Sequence, residues 1–553
     1  MTPSTHATVF DIYLLQEQIC SHLTLRDIRR CSLVSRDFSN NFSPFLYRTI
    51  SIYRKSTYNK FHTPESLAAL AKYCDQVTHV DCVFARIWKT LLDAQCHNLV
   101  TLNSGCLPRR HSNRDQNRFQ TGYITDLIEV NPRLYSVMLT QFLFEPEVVA
   151  RFCSVLRNHA KLRELSIINP EAHVRYTVIN LFIWSSFRLE KLCIDLCTAK
   201  YYVGENGRPQ LQEYVDLTGS EEPVFALKEL ALSFRMHSHQ SDAFFRLLTY
   251  APHIERLATP TFDHDHQMNE LFSTMETTMT NVQHLNVHSL GVQGALVARL
   301  VSLCRNLKTF VSSSLLQGVH LVADALLLHH RETLEELRMA RAARMTSRQV
   351  LAFLIQCPKL RIVDMMVTVE NRSLYYEVLT RQRIGDAIVS TADMDATVGS
   401  PWACTGLEVL KLRYAVPERG QDEQNQMEGE GSIEWVLPSV LYNRIAELTQ
   451  LETLWLGKVE PQVESNDSFI LAAQVGRGHP LPPALQPPPP PKSESEIQQH
   501  KIRTLNMSNA LLAWRSLPRL RQLHLRGVKN FIDKGTVREA RKSWKDLEWI
   551  CYR

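Results

Sequence analysis

One pattern limits what this chain can become. The hexapeptide Leu-x-x-Leu-x-Leu, with Ile, Val, Phe or Met substituting, recurs at LRELSI (Leu162, Leu165, Ile167), LEKLCI (Leu189, Leu192, Ile194) and LKELAL (Leu227, Leu230, Leu232). It continues at IERLAT, VQHLNV, LKTFVS, LEELRM, LRIVDM, LEVLKL, LETLWL, LRQLHL and LEWICY, with weaker copies upstream at VTHVDC, LVTLNS and LYSVML. One such motif means little in a chain with many leucines. The spacing means more. Starts at Leu134, Leu162, Leu189, Leu227, Ile254, Val282, Leu307, Leu334 and Leu360 are mostly about 25–28 residues apart.

Alternation within each motif predicts a short strand with one buried face. Between motifs the apolar residues change to helical spacing. VVARFCSVLRNHA puts Val148, Phe152, Val155 and Leu156 on one face, and SDAFFRLLTYAPHI puts Phe244, Leu247 and Leu248 together behind a Ser241 cap. QGALVARLVSLCRN and TSRQVLAFLIQCP repeat the arrangement. A strand and a helix per unit, each too small to bury its own apolar side, must stack on their neighbours. The period lies in the range of leucine-rich repeats, so an α/β solenoid with a curved parallel sheet is expected over residues 53–553. The period breaks where loop inserts are expected, at about 200–222, 385–403, 416–432 and 460–500. The last holds HPLPPALQPPPPPKSESE, a proline run suited to polyproline II, either as a loop or as a ligand for a proline-reading domain.

The first fifty residues do not follow the repeat. FDIYLLQEQICSHL places Leu15, Ile19 and Leu23 at helical spacing. LRDIRRCSLVSRDFSNNF carries a second pattern with Ile28, Leu33, Val34 and Phe38, ending at the Asn-rich turn. SPFLYRTI predicts a third short helix with Ser43 as N-cap and Pro44 at its first position. Three helices of this size make a small core that tends to lean on a partner. Residues 8–52 resemble an F-box: "LRDIRRCSLVSRDFSNNFSPFLYRTI" is similar to that family's Leu-Val-x-(Lys/Arg)-x-(Trp/Phe) followed by Pro-x-Leu-(Trp/Tyr). Where the family opens with Leu-Pro, this chain reads Phe10-Asp11-Ile12-Tyr13. An F-box ahead of leucine-rich repeats resembles the substrate-receptor subunits of SCF-type ubiquitin ligases. That resemblance implies that Leu15, Ile19, Leu23, Leu33, Val34, Phe38, Pro44, Leu46 and Tyr47 form the small core or meet a Skp-type adaptor. The adaptor would link to cullin and a RING subunit. The competing expectation is a non-ligase scaffold that uses an F-box-like segment for assembly.

A net charge of +5 over 553 residues is too small to argue for nucleic acid or an anionic membrane, and neither is expected as partner. No secretion signal opens the chain, and no run of about 18 apolar residues would span a bilayer. Thirteen scattered cysteines read as reduced thiols of a cytoplasmic or nuclear protein. Catalysis needs a constellation, and the sequence offers no phosphate-binding glycine loop and no C-x-x-C pair. Cys193 and Cys197 read as core. FDHDHQ, His237/His239 and His329/His330 read as solvated loop residues. The expectation is a protein without cofactor or metal that acts by binding.

Strand alternation then sends the residues between the buried positions to the open face of the sheet. These include Glu164, Lys191, Glu229, Arg338 and Asp364. Towards the C-terminus Lys411, Arg413, Trp455, His524 and Arg526 add cations and an aromatic, which suit an unknown protein substrate with acidic or phosphorylated segments.

Overall fold

A computed structural model describes residues 13–52, 63–82, 84–104, 114–140, 146–168, 188–195, 225–233, 235–236, 244–245, 247–262, 265–277, 280–287, 294–312, 318–339, 345–365, 388–390, 400–415, 436–458, 504–506, 514, 517–526, 538, 542, 544 and 547–552. The expected inserts at 200–222, 416–432 and 460–500 lie outside these residues. The chain forms two compact units. One is Met1–Gly291 with Leu303–Arg305 and Asn371–Arg381; the other is Val292–Ser302, Asn306–Glu370 and Gln382–Arg553.

The first unit opens with three helices, α1 (Tyr13–Ser21), α2 (Leu25–Ser32) and α3 (Arg36–Tyr47). Thr24 and Ser35 are their punctuation: each is extended and accepts a backbone N–H of the following first turn, from Asp27 and Phe38 respectively. The predicted boundaries shift as a result. The second apolar pattern breaks at Leu33–Ser35 rather than at the asparagines, because Ser35 caps a new helix. Pro44 then lies inside α3 instead of starting a helix.

After α3 the chain enters the sheet at once. Strands β1 (Thr49–Ile52), β2 (His79–Cys82), β3 (Thr101–Ser104), β4 (Ser136–Thr140), β5 (Glu164–Ile168), β6 (Lys191–Asp195) and β7 (Glu229–Ser233) pair in chain order, all parallel. A two-residue strand, β8 (Arg235–Met236), precedes β9 (Arg256–Thr259) and pairs with β10 (Thr261–Phe262). The main ladder continues through β9 to β11 (His284–Val287). The weak upstream motifs are therefore full repeats, and the sheet begins at Thr49, inside the segment assigned to the helical module.

The second unit repeats the scheme with β12 (Thr309–Ser312), β13 (Glu336–Met339) and β14 (Ile362–Asp364). Strand β15 (Ile388–Ser390) lies in the span read as an insert, yet pairs with the far end of β16 (Val409–Ala415). Trp402, in the same span, is buried. Two further short strands, β17 (Val436–Pro438) and β19 (Thr504–Asn506), pair antiparallel and bracket the proline-bearing segment. The ladder runs from β14 through β16 to β18 (Thr453–Lys458), β20 (Gln522–Arg526) and β21 (Glu548–Tyr552).

Register is fixed by two repeating devices. The first is burial: Leu165, Leu192, Leu230, Leu257 and Leu285 stand abreast in one row with almost no exposure, as do Leu337, Val363, Leu410, Leu454 and Leu523 in the second unit. A one-residue slip would turn each of them outward. The second is a shared carbonyl. The residue before a strand accepts two N–H groups from the start of the next, as with Tyr135 O from Arg163 and Glu164, and Glu335 O from Arg361 and Ile362.

Helices fill the intervals: α4 (Pro64–Lys72), α5 (Ala85–Asp93), α6 (Arg114–Val130) and α7 (Pro146–Asn158) in the first unit, packed side by side. Helix α8 (Asp265–Thr277) takes in Asp265 and His266, where the sequence predicts a loop; Asp263 and His264 lie outside the described residues. The second unit holds α9 (Gly294–Leu303), α10 (Val319–His330), α11 (Ser347–Gln356) and α12 (Ser439–Ala446). Gly318 caps α10 at φ +68°, where an added Cβ would sit 2.9 Å from Gly294 Cα, so glycine is required.

A third periodic feature lies where helix returns to strand. Cys74, Cys96, Asn131, His159, Cys357 and Cys404 all precede a motif start by the same short interval, and all are buried. Asn131 shows what the position does: its amide donates to the Cys96 and Leu127 carbonyls and accepts from Leu99 N–H, satisfying backbone groups that the turn would otherwise strand. His159 does likewise, with Nε2 at Asn131 O and Nδ1 accepting from Leu162 N–H. Burial pushes the Cys96, Cys357 and Cys404 thiols up to about 12, so they act as small apolar fillers. Among the described residues no helix is long and apolar enough to cross a membrane.

Candidate protein-binding surfaces

The helical module has a core of Cys20, Ile28, Phe42 and Phe45, and Ile19, Leu23, Phe38 and Leu46 pack on it half-buried. Phe38 and Phe42 stack at 5.4 Å between ring centroids. Leu15 and Pro44 are half-buried. The remaining residues named from the family pattern divide. Tyr47 stacks on Tyr73 at 4.7 Å, at the end of α4, so it links the helical module to the strand-and-helix part of the chain. Burial raises its hydroxyl pKa, with Tyr73 adding to the effect.

Leu33 and Val34 do the opposite. They are 77% and 68% exposed, and Leu14 and Leu25, which the pattern did not single out, are exposed too. The sequence carried one signal for this. On a helical wheel Leu25, Arg26, Arg29 and Arg30 share one arc, away from Ile28, so an arc that is largely charged had to face water.

The module is tied to the sheet through Arg48. Arg48, the single residue between α3 and β1, forms an ion pair with Glu17 of α1 at 2.6 Å. Its carbonyl accepts from Thr78 and His79, the entry to β2. Helices and first strands are thus joined through one residue and its contacts, with no glycine or proline linker between them.

The open face of the sheet is more self-contained than its composition suggests. In the first unit Lys191 pairs with Glu229 at 2.8 Å across β6 and β7. Asp81 and Asn103 stand abreast, and burial raises the Asp81 carboxyl above the usual range. In the second unit one row runs Arg338, Asp364, Lys411, Trp455, His524 on successive strands. Arg338 pairs with Glu336. Lys411 Nζ lies 2.7 Å from Asp364 Oδ2, with side chains 19% and 6% exposed, so its charge is balanced within the protein. Trp455 and His524 meet edge to face at 5.3 Å. Register places Arg413, Gly457 and Arg526 abreast two residues further along; the arginine side chains lie outside the described residues.

Histidine 330, read as a loop residue, ends α10 and is 1% exposed, with Nε2 at 2.9 Å from Val301 O. Burial holds its pKa below the usual histidine range, and the adjacent His329 pushes the same way. The His237/His239 pair and Cys197 lie outside the described residues.

No family model matches the chain. No curated protein matches it. Among solved structures it is similar to the crystal structure of the Rad7 and Elc1 complex in yeast, at 12% identity and a TM-score of 0.38, covering 73% of this chain and 95% of that one. At that level of overlap no role transfers from the yeast protein.

Proposed function

We propose that this chain is a substrate receptor of an SCF-type ubiquitin ligase. The helical module docks on a Skp-type adaptor, which links to cullin and a RING subunit, and the open face of a leucine-rich-repeat solenoid holds a protein substrate. The chain contributes position and the partners contribute chemistry: a held substrate reacts at high effective concentration.

The observation that carries the reading is the exposure of Leu14, Leu25, Leu33 and Val34 on a small, capped module joined directly to the sheet. A leucine that points into water gains roughly 1.5–3 kcal/mol when a partner covers it fully, and a few such anchors dominate an interface. The test is direct binding of the full chain to a purified Skp-type adaptor, beside a Leu33→Ala/Val34→Ala variant with an unchanged melting curve. Binding by the wild type and its loss in the variant support the reading. A well-folded wild type that ignores the adaptor overturns it. Adaptor binding with no recruitment of cullin moves the assignment to a non-ligase scaffold.

A further inference from the structure

We propose that the docking surface selects its partner by charge as well as by apolar contact, and that the partner's groove is rimmed by carboxylates. Leu25, Arg29 and Leu33 follow each other at i, i+4 and i+8, so they form one stripe along the outer arc of α2. Leu33 continues that arc because its backbone is still helical, at φ −95° and ψ −4°. Arg26 and Arg30 run alongside at the same spacing.

This arrangement is not explained by the stability of α2. Arg30 meets Asp27 at 3.5 Å, but among the described residues neither Arg26 nor Arg29 has an acidic side chain in ion-pair range. Like charges three and four residues apart oppose each other in a helix. Arg29 and Arg30 at least suit the helix C-terminus. Arg26 sits in the first turn, where the helix dipole disfavours a cation. A carboxylate-rimmed partner relieves both conflicts at once. Nucleic acid would meet the arginines but leave the two leucines in water. An interfacial membrane helix needs a broad apolar face, and this arc offers two leucines. A protein groove satisfies both kinds of residue.

The inference rests on the adaptor reading, and the experiment separates the two. Association of the full chain with a purified Skp-type adaptor is followed over a range of salt concentrations, for wild type, Arg26→Glu/Arg29→Glu and Leu33→Ala. The expected result is a wild-type on-rate that falls with salt. Charge reversal should slow it by on the order of tenfold and flatten its salt dependence. Leu33→Ala should act mainly on the off-rate. Arg26→Gln/Arg29→Gln serves as the control for folding and should fall between wild type and reversal. Adaptor binding that is indifferent to salt and to reversal overturns the charge inference and leaves the adaptor reading standing. No adaptor binding at any salt overturns both. Reversal-sensitive binding to phosphatidylserine vesicles or to a DNA duplex, in place of the adaptor, overturns the inference in favour of that surface.

Discussion

Leu165, Leu192 and Leu230 in the repeat strands and Leu25 and Leu33 in the N-terminal helices are the same side chain in opposite settings. The first three have essentially no exposure; the other two are 57% and 77% exposed. In the sheet a leucine is covered by its own chain, because the next repeat supplies the missing neighbour. Among the described residues no further helix covers the outer arc of α2. The same contrast holds for charge. Lys411 and Lys191 on the open face are answered by Asp364 and Glu229, while Arg26 and Arg29 on α2 meet no acidic group among the described residues. Among the described residues these side chains of the sheet are covered or paired within the chain, whereas Leu25, Leu33, Arg26 and Arg29 of the module are not.

The largest break in the comparison comes from the sheet core. Phe310→Ala removes a fully buried ring from the first strand of the second unit and should cost about 3–5 kcal/mol. Urea unfolding would show it as a shift in midpoint with little change in slope. A loss below about 1 kcal/mol would mean that the repeat can collapse around the gap, and that its packing is looser than the burial implies.

Next is the ion pair. Lys411→Met leaves the Asp364 carboxylate buried with its cation gone, which should cost about 3 kcal/mol. Lys411→Met/Asp364→Asn should recover much of that. If instead the single variant is as stable as wild type, Lys411 is free to serve a substrate, and the open face is less self-balanced than the 2.7 Å contact implies.

These two sites also show what the sequence displayed and what it hid. The repeat was legible because strand alternation and a near-constant period are local, and both follow directly from the need to bury one face. The pairing of Asp364 with Lys411 was equally present, since both occupy the same place in LRIVDM and LEVLKL. It went unread because a long interval separates the motifs, and only register makes them neighbours. The recurring buried position ahead of the motifs, held by Cys96, Asn131, His159 and Cys357, is visible in the sequence as a column, but the cysteines taken singly look like scattered thiols, and Asn131 and His159 carry no motif of their own. In the module, Leu33 and Val34 have the composition of core; their exposure depends on where Ser35 starts a new helix. For Arg413 and Arg526 only the backbone register is described, which sets both abreast of Gly457.

A smaller effect separates the two settings by pH. His330 is kept neutral by burial, so its pKa is lower folded than unfolded. Above the unfolded value of about 6.5 both states are neutral and the histidine adds no pH dependence. As pH falls below that value the unfolded chain takes up the proton first, and stability is lost. Melting temperature should therefore decline on acidification from about pH 7 to about pH 5.5, and His330→Gln should reduce the slope. An unchanged slope in the variant would place the titrating group elsewhere.

The smallest expected stability effect is the most informative about the module. Ser35→Ala removes the cap that accepts Phe38 N–H and should cost about 1 kcal/mol, while Leu33→Ala, two residues away, should change stability by no more than about 0.5 kcal/mol. A core residue would behave in the reverse order, since truncating a buried leucine costs more than losing a cap. The pair therefore asks of one turn which residue is structural and which faces outward. If Leu33→Ala proved the more damaging of the two, Leu33 would be part of the fold, and the dock would have to be sought at Leu14 and Leu25 instead. If it is nearly silent in stability yet abolishes adaptor binding, the stretch that looks most like core in the sequence is the surface that the protein keeps for another molecule.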